Sequence, residues 1–267
     1  MAEVVRFSDN QEQRLIAAAQ EIGWLALTEV ATKYGTGSPV PEVMGAEANL
    51  AFHHLGHTMH VRNDARQAAK ALGLSEFDQS LVDAAAKAHD IVQLRARGVM
   101  EEESAQWLED RLRRAGFEGD DIKAGGLAVR GTAVVMDGPV MRQVASLQEY
   151  SSERERLIAM SVACADMASL YQPRGPLLSH DLYKEFQGVD PADEPSMDGL
   201  PDYQNGQITL MRHYLFPHPV GEALFGTGRE ATIEYHEGVL RALGAGAIQS
   251  WGQLLERDMH FAQGLPV

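Results

Sequence analysis

Three apolar stretches of this chain each carry ionisable side chains that cannot be buried alone. They read FHHLGHTMHV (residues 52–61), AAAKAHDIV (84–92) and LIAMSVACADMASL (157–170). Burying a carboxylate or an imidazole is costly unless a partner compensates it. A chain that holds all three stretches must therefore fold so that each finds a partner. On a helix His53, His57 and His60 fall at i, i+4 and i+7 and share one face. A buried face with three imidazoles needs partners for six ring nitrogens, and a metal ion answers that need for at least one of them. His89 and Asp90 sit among alanines that let a neighbouring helix come close, and Asp166 is the one charge in its apolar helix. Both carboxylates call for a cation.

The spacing of apolar residues is helical nearly throughout. Ser8 with Gln11 reads as a capping box, and Leu15, Ile16, Ala19, Ile22 and Leu25 to Leu27 continue a helix to Gly35. The linker YGTGSPVP follows, and a second helix runs from near Ala48 to Leu72, where Gly73 ends it. Ser75 with Asp78 opens a third helix, which the pattern carries through Ile91 and Val92. A charged amphipathic helix covers 101–115 and stops at Gly116. In residues 120–139 Gly125, Gly126 and Gly131 weaken a helix and TAVVM is strand-like, yet the helical context favours a helix there. Ser152 with Glu155 caps a helix reaching Tyr171, with Pro173 barring its continuation. Residues 188–206 read as a long loop, and helical patterns return at 207–216, 229–243 and 246–262. The expected class is all-α: a helical metal-binding unit over 1–172, with a helical extension, 173–267, packed on it.

At 267 residues the chain can bury a sizeable core. Its net charge of -15 repels phosphate backbones and anionic lipid, so neither nucleic acid nor membrane is an expected partner. No apolar run approaches the ~18 residues of a membrane span. Residues 1–15 carry Glu3, Arg6, Asp9, Glu12 and Arg14 without an apolar core, so no signal peptide is expected. Cys164 stands alone and reads as a small core residue, which suits a reducing cytoplasm. A homo-oligomer is compatible with the composition.

The order of these motifs resembles the HD superfamily of metal-dependent phosphohydrolases. FHHLGH is similar to the Tyr-His-Asn-x-x-His pattern of one branch, with Phe52 for Tyr and His54 for Asn. MEEESA (100–105) is similar to that branch's Asn-Glu-x-x-Ser-Ala, with Met100 for Asn. The likeness covers roughly 50–170. It implies an HD-type helical bundle and the ligand set His57, His89, Asp90 and Asp166 around one divalent ion. Two imidazoles and two carboxylates suit Mn²⁺, Fe²⁺, Co²⁺ or Ni²⁺ better than Mg²⁺. Two-ion members use extra histidines after the doublet, and none occurs here from 91 to 165.

The reaction so implied is hydrolysis of a small phosphate monoester, such as a nucleotide, by a metal-activated water. Glu101 is the candidate base, His53 a candidate catalytic group, and Lys87 and Arg130 candidates for contact with the substrate's phosphate. The position where some nucleotidases of the superfamily carry a Glu is Gln93 here. That residue keeps a second reading open, a non-catalytic metal- or ligand-binding module.

Overall fold

A computed structural model describes residues 9–34, 50–93, 99–138 and 140–265. Ser8, residues 35–41 of the expected linker and the expected helix start near Ala48 lie outside them. The fold is all-α with one small hairpin. In chain order the helices are α1 (Asp9–Tyr34), α2 (Leu55–Ala71), α3 (Glu76–Ala88), α4 (Val99–Arg114) and α5 (Gly119–Arg130). The hairpin β1 (Val134–Asp137) and β2 (Val140–Gln143) follows, then α6 (Glu153–Asp166) and α7 (Gly175–Phe186). The chain continues through α8 (Leu200–His213), α9 (Pro219–Phe225), α10 (Arg229–Gly244) and α11 (Trp251–Ala262).

Helix α3 is the axis of the first half. Every residue from Phe77 to Ala88 except Gln79 is buried, and α1, α2, α5 and α6 pack around it. The alanines at 84, 85, 86 and 88 are what permit this, because a small side chain lets backbones approach on several sides. Leu81, Val82, Leu108, Leu112, Ile158 and Val162 fill the space between the helices. Burial of each such side chain stabilises by roughly 1.5–3 kcal/mol. The caps fall where the residues indicate: Ser75 Oγ accepts from the Asp78 amide at 3.1 Å, and Ser152 Oγ from that of Glu155 at 3.2 Å. Gly73 (φ 71°) and Gly116 (φ 86°) take the left-handed backbone that ends α2 and α4.

Four expectations need correction. The third helix was to continue through Val92 but stops at Ala88, so His89 and Asp90 stand in the turn beyond it. There the backbone is taken by outside partners: the Tyr34 hydroxyl donates to Ile91 O and accepts from the Gln93 amide, and the Val92 amide donates to Ser104 Oγ. Likewise Asp166 is not inside its helix but closes it, and a short 3₁₀ turn covers Ala168–Tyr171. Residues 120–139 are not one helix. They hold most of α5, and then β1 of the antiparallel hairpin, in which Val134 pairs with Gln143 and Asp137 with Val140. Gly131 sits at the change, where a Cβ would stand only 3.0 Å from both Ala145 Cβ and Leu127 O. The loop of 188–206 is shorter than expected, since α8 begins at Leu200 with Pro201 in its first turn.

The helices after α6 build cores of their own. One joins Tyr183, Leu200, Tyr235, Val239, Trp251 and Leu254; another joins Tyr171, Ile208, Met211, Tyr214 and Ile233. Beside the first runs a buried polar chain. Asp258, fully buried, accepts from His180 Nδ1 and from the Tyr235 hydroxyl, both at 2.5 Å. His180 also meets Gln204, whose other end bonds His236 Nδ1 at 2.5 Å. No helix among the described residues is long and apolar enough to cross a membrane. Removing one member of such a network leaves others buried without partners. Asp258→Ala is therefore expected to cost about 3–5 kcal/mol in urea unfolding, and a cost under about 1 kcal/mol would contradict this account of the second half.

Candidate metal centre

The three apolar stretches meet at one point. His57 lies in the first turn of α2, behind the N-cap residue His54, whose ring accepts from the Gly56 amide at 2.8 Å. His89 and Asp90 arrive from the end of α3, and Asp166 from the end of α6. Ligand atoms of His57, His89 and Asp90 all lie within 4.8 Å of one another. Asp90 Oδ2 is 3.2 Å from His57 Nε2 and 2.9 Å from His89 Nε2. Asp166 Oδ1 is 3.8 Å from the first and 3.5 Å from the second. The imidazoles are almost wholly buried, whereas the two carboxylate side chains keep 16% and 17% of their exposure. The site thus has a closed imidazole floor and an accessible carboxylate side.

These separations fit a shared ion. Two nitrogen or oxygen ligands about 2.1 Å from one ion stand about 3.0 Å apart when adjacent in an octahedron and about 4.2 Å apart when opposite. The distances from Asp90 to both imidazoles fall in or just below that interval, and Asp166 Oδ1 approaches the same two rings, although only His57, His89 and Asp90 form a mutually close group. His89 Nε2 and Asp90 Oδ2 are 2.9 Å apart, yet both are buried without a well-aligned hydrogen bond. His89 Nδ1 lies 2.8 Å from Ala86 O, and a carbonyl only accepts, so Nδ1 carries the proton. In the neutral ring the Nε2 lone pair then faces two carboxylates, and a positive charge must lie between them.

The electrostatics point the same way. Burial opposes charge on His89, but Asp90 and Asp166 outweigh it and raise its pKa well above the ordinary range. Burial likewise opposes charge on Asp90, yet His89 and His57 hold it well below the usual carboxylate range. His57 is pushed down, chiefly by burial, and so is neutral at pH 7. Without an ion, a proton on His89 supplies the missing charge. A divalent ion would replace that proton.

Several groups that position the site were not apparent from the sequence. Asp166 Oδ2 accepts from Gln143 Nε2 at 3.2 Å, and Gln143 Oε1 accepts from the Tyr214 hydroxyl at 2.7 Å. That leaves Asp166 Oδ1 facing the imidazoles. Glu185, near the end of α7, bonds His53 Nδ1 and accepts from the amides of Phe52 and His53 at 3.0 and 2.9 Å. Burial opposes charge on His53, but the bond to Glu185 prevails and raises its pKa. No spacing rule links residues 53 and 185, or 143, 166 and 214.

The remaining candidates stand elsewhere. Lys87 does not pair with Asp90: its Nζ lies 2.5 Å from Asp83 Oδ2 and over the Trp24 ring, in a cleft of about 180 Å³ that also holds Arg62 and Arg66. Arg130 is spanned by Glu102 at 2.6 Å and Glu109 at 2.5 Å. Glu101 is half-buried in the first turn of α4, one turn ahead of Ser104, which anchors the backbone just after the His-Asp doublet. Cys164 is a core residue as expected, its thiol pushed up to about 12 by burial.

No protein-family profile and no curated protein matches the chain. Solved structures do. Bacillus subtilis YpgQ, crystallised in complex with ADP, superposes with a TM-score of 0.52 at 12% identity, over 85% of this chain and 96% of YpgQ. A structural-genomics target from Lactobacillus plantarum gives 0.51 at 18% identity, over 90% of this chain and all of its own. The chain shares their overall helical fold.

If the four side chains share an ion, Mn²⁺ or Co²⁺ at about 100 times its Kd should stabilise the protein by about 2.7 kcal/mol. For a chain of this size that is a rise in Tm of about 5–10 °C, reversed by chelator. Because the ion displaces a proton from His89, calorimetry in buffers of different ionisation enthalpy should find about one proton released at pH 7. Apparent affinity then falls as pH drops. No rise in Tm, or binding without proton release, would contradict the geometry.

Proposed function

We propose that the chain is an HD-type metal-dependent phosphohydrolase acting on a small phosphorylated substrate such as a nucleotide. One observation carries the reading: His89 Nε2 and Asp90 Oδ2, ligand-type atoms buried without hydrogen-bond partners, lie at ion-sharing distance from His57 and Asp166. The sequence motifs support it, as does the fold shared with YpgQ, a protein crystallised with ADP. His57, His89, Asp90 and Asp166 would hold one divalent ion. Bound there, it would polarise a phosphoryl oxygen and lower the pKa of a water.

The protein's own groups do the rest. Gln143 keeps Asp166 Oδ1 turned toward the imidazoles, with Tyr214 fixing the orientation of the Gln143 amide. Glu185 holds His53 with Nδ1 engaged, which leaves Nε2 as the ring's working atom for contact with phosphate or leaving group. Glu101 is the carboxylate we assign to orienting the attacking water, since its helix is tied to the doublet through Ser104. The accessible carboxylate side is where an anionic substrate, held by the ion, can enter an otherwise acidic protein.

The test is hydrolysis of an aryl phosphate and a nucleotide panel with Mn²⁺ or Co²⁺. Turnover is expected, with His89→Ala abolishing it and Gln143→Leu lowering it about 10–100-fold. A folded protein that is stabilised by metal yet turns over none of these would leave the non-catalytic module as the better reading.

A further inference from the structure

A second cluster of charge lies where α1, α2 and α3 meet, in the cleft of about 180 Å³ that holds Lys87. Lys87 forms its floor. The side chain is only 4% exposed, and its Nζ pairs with Asp83 Oδ2 at 2.5 Å. Helix α1 makes room for it, since a Cβ on Gly23 would stand 2.8 Å from Lys87 Cδ. A glycine in a helix interior weakens the helix, and here its missing side chain is what admits the lysine. Trp24, the next residue, sets its ring 5.2 Å from the ammonium. The other oxygen, Asp83 Oδ1, accepts from Arg62 Nε at 2.6 Å, while Arg66 Nη1 comes no nearer to it than 4.0 Å.

The charge balance of this cleft is the reverse of the chain's. Acids outnumber basic residues 38 to 23, and elsewhere a single arginine engages two carboxylates: Arg130 meets Glu102 and Glu109, and Arg154 meets Asp78 and Asp121. Here three cations share the one carboxylate of Asp83, and Lys87 alone balances its charge. The only other acid of the lining is the exposed Glu76, so the cleft keeps a net positive charge in a protein of net charge -15. Arg62 and Arg66 fall at i and i+4 of α2, where like charges repel. Arg66 makes no hydrogen bond among the described residues, and its side chain is 52% exposed. Its fork of N–H donors is open to an oxyanion.

We infer that Arg62 and Arg66 form a binding site for a phosphate group at the rim of this cleft. None of His57, His89, Asp90 and Asp166 lines it, so the site is separate from the metal centre and needs no ion there. The anion lies between the two guanidiniums, relieves their repulsion and takes the donors that Asp83 does not reach. The cleft is smaller than the roughly 300–1,000 Å³ of ordinary ligand pockets, so it admits a phosphate group and not a whole cofactor. Any larger body attached to that phosphate stays outside, where the ring of Trp24 is 64% exposed.

The test is titration of inorganic phosphate into the protein in chelator, at ionic strength held constant with chloride, read by indole fluorescence and by Tm. Wild type is expected to bind saturably, with a rise in Tm and a fluorescence change that Trp24→Phe abolishes. Arg66→Gln should weaken binding about tenfold. Arg113→Gln, which alters another exposed arginine, should leave it unchanged. Asp83→Asn removes the internal rival for the two arginines and should tighten binding about tenfold, a gain that a purely structural ion pair would not give. If that variant does not fold, Arg66→Gln against Arg113→Gln decides. A nucleoside monophosphate that binds more tightly than phosphate, with the gain lost in Trp24→Phe, would assign the group to an aromatic ligand; equal affinities would assign it to free phosphate. No saturable binding, equal losses in the two arginine variants, or a folded Asp83→Asn without gain would overturn the site. Binding that appears only with Mn²⁺ would overturn it too, and would place the phosphate at the metal centre instead.

Discussion

The His57 and His89 imidazoles and the Asp90 carboxylate draw together at the meeting of α2, α3 and α6, with Asp166 close to both rings, an arrangement that a positive charge between them would stabilise. Much of the surrounding structure follows from that constraint. Helix α3 is lined with alanines, so its neighbours close in until His57 and Asp166 reach the His89–Asp90 turn. Its end is not a weakness in helix propensity. Tyr34 and Ser104 take over the backbone of residues 91–93, and the doublet is thereby set at a fixed point beyond the last turn.

The second half of the chain is bound into the same arrangement. Tyr214 reaches Asp166 through Gln143, and Glu185 holds the His53 segment by three bonds. Both contacts come from segments anchored in separate cores, and one of those cores is stiffened by the buried chain around Asp258. Distortion of the late helices would therefore reach His53 and Asp166 through named hydrogen bonds. The late region both covers the early bundle and orients its polar groups.

Much of this was legible in the sequence, because the signals were local. Helical spacing, the Ser75 and Ser152 caps and the glycines at 73 and 116 all act within a turn or two, and they stand where they were expected. The convergence of His57, His89, Asp90 and Asp166 was legible through motif order and the cost of burying charge. What could not be read depends on distant partners. Nothing near Ile91 shows that Tyr34 will claim its carbonyl, and the glycines of 120–139 are ambiguous until Gly131 meets Ala145. Lys87 resembled a phosphate contact in isolation, but Asp83, one turn earlier, offers its ammonium a nearer partner. Glu185 and Gln143 carry no local signature, since their importance lies wholly in what stands opposite them.

The most direct measurement is X-ray absorption on the Co²⁺-loaded protein, which reads the ion's own surroundings. The account predicts one nitrogen/oxygen shell at about 2.1 Å containing two imidazoles, reduced to one imidazole in His57→Ala. A spectrum without imidazole scattering, or one that His57→Ala leaves unchanged, would contradict the claim that these helices share an ion.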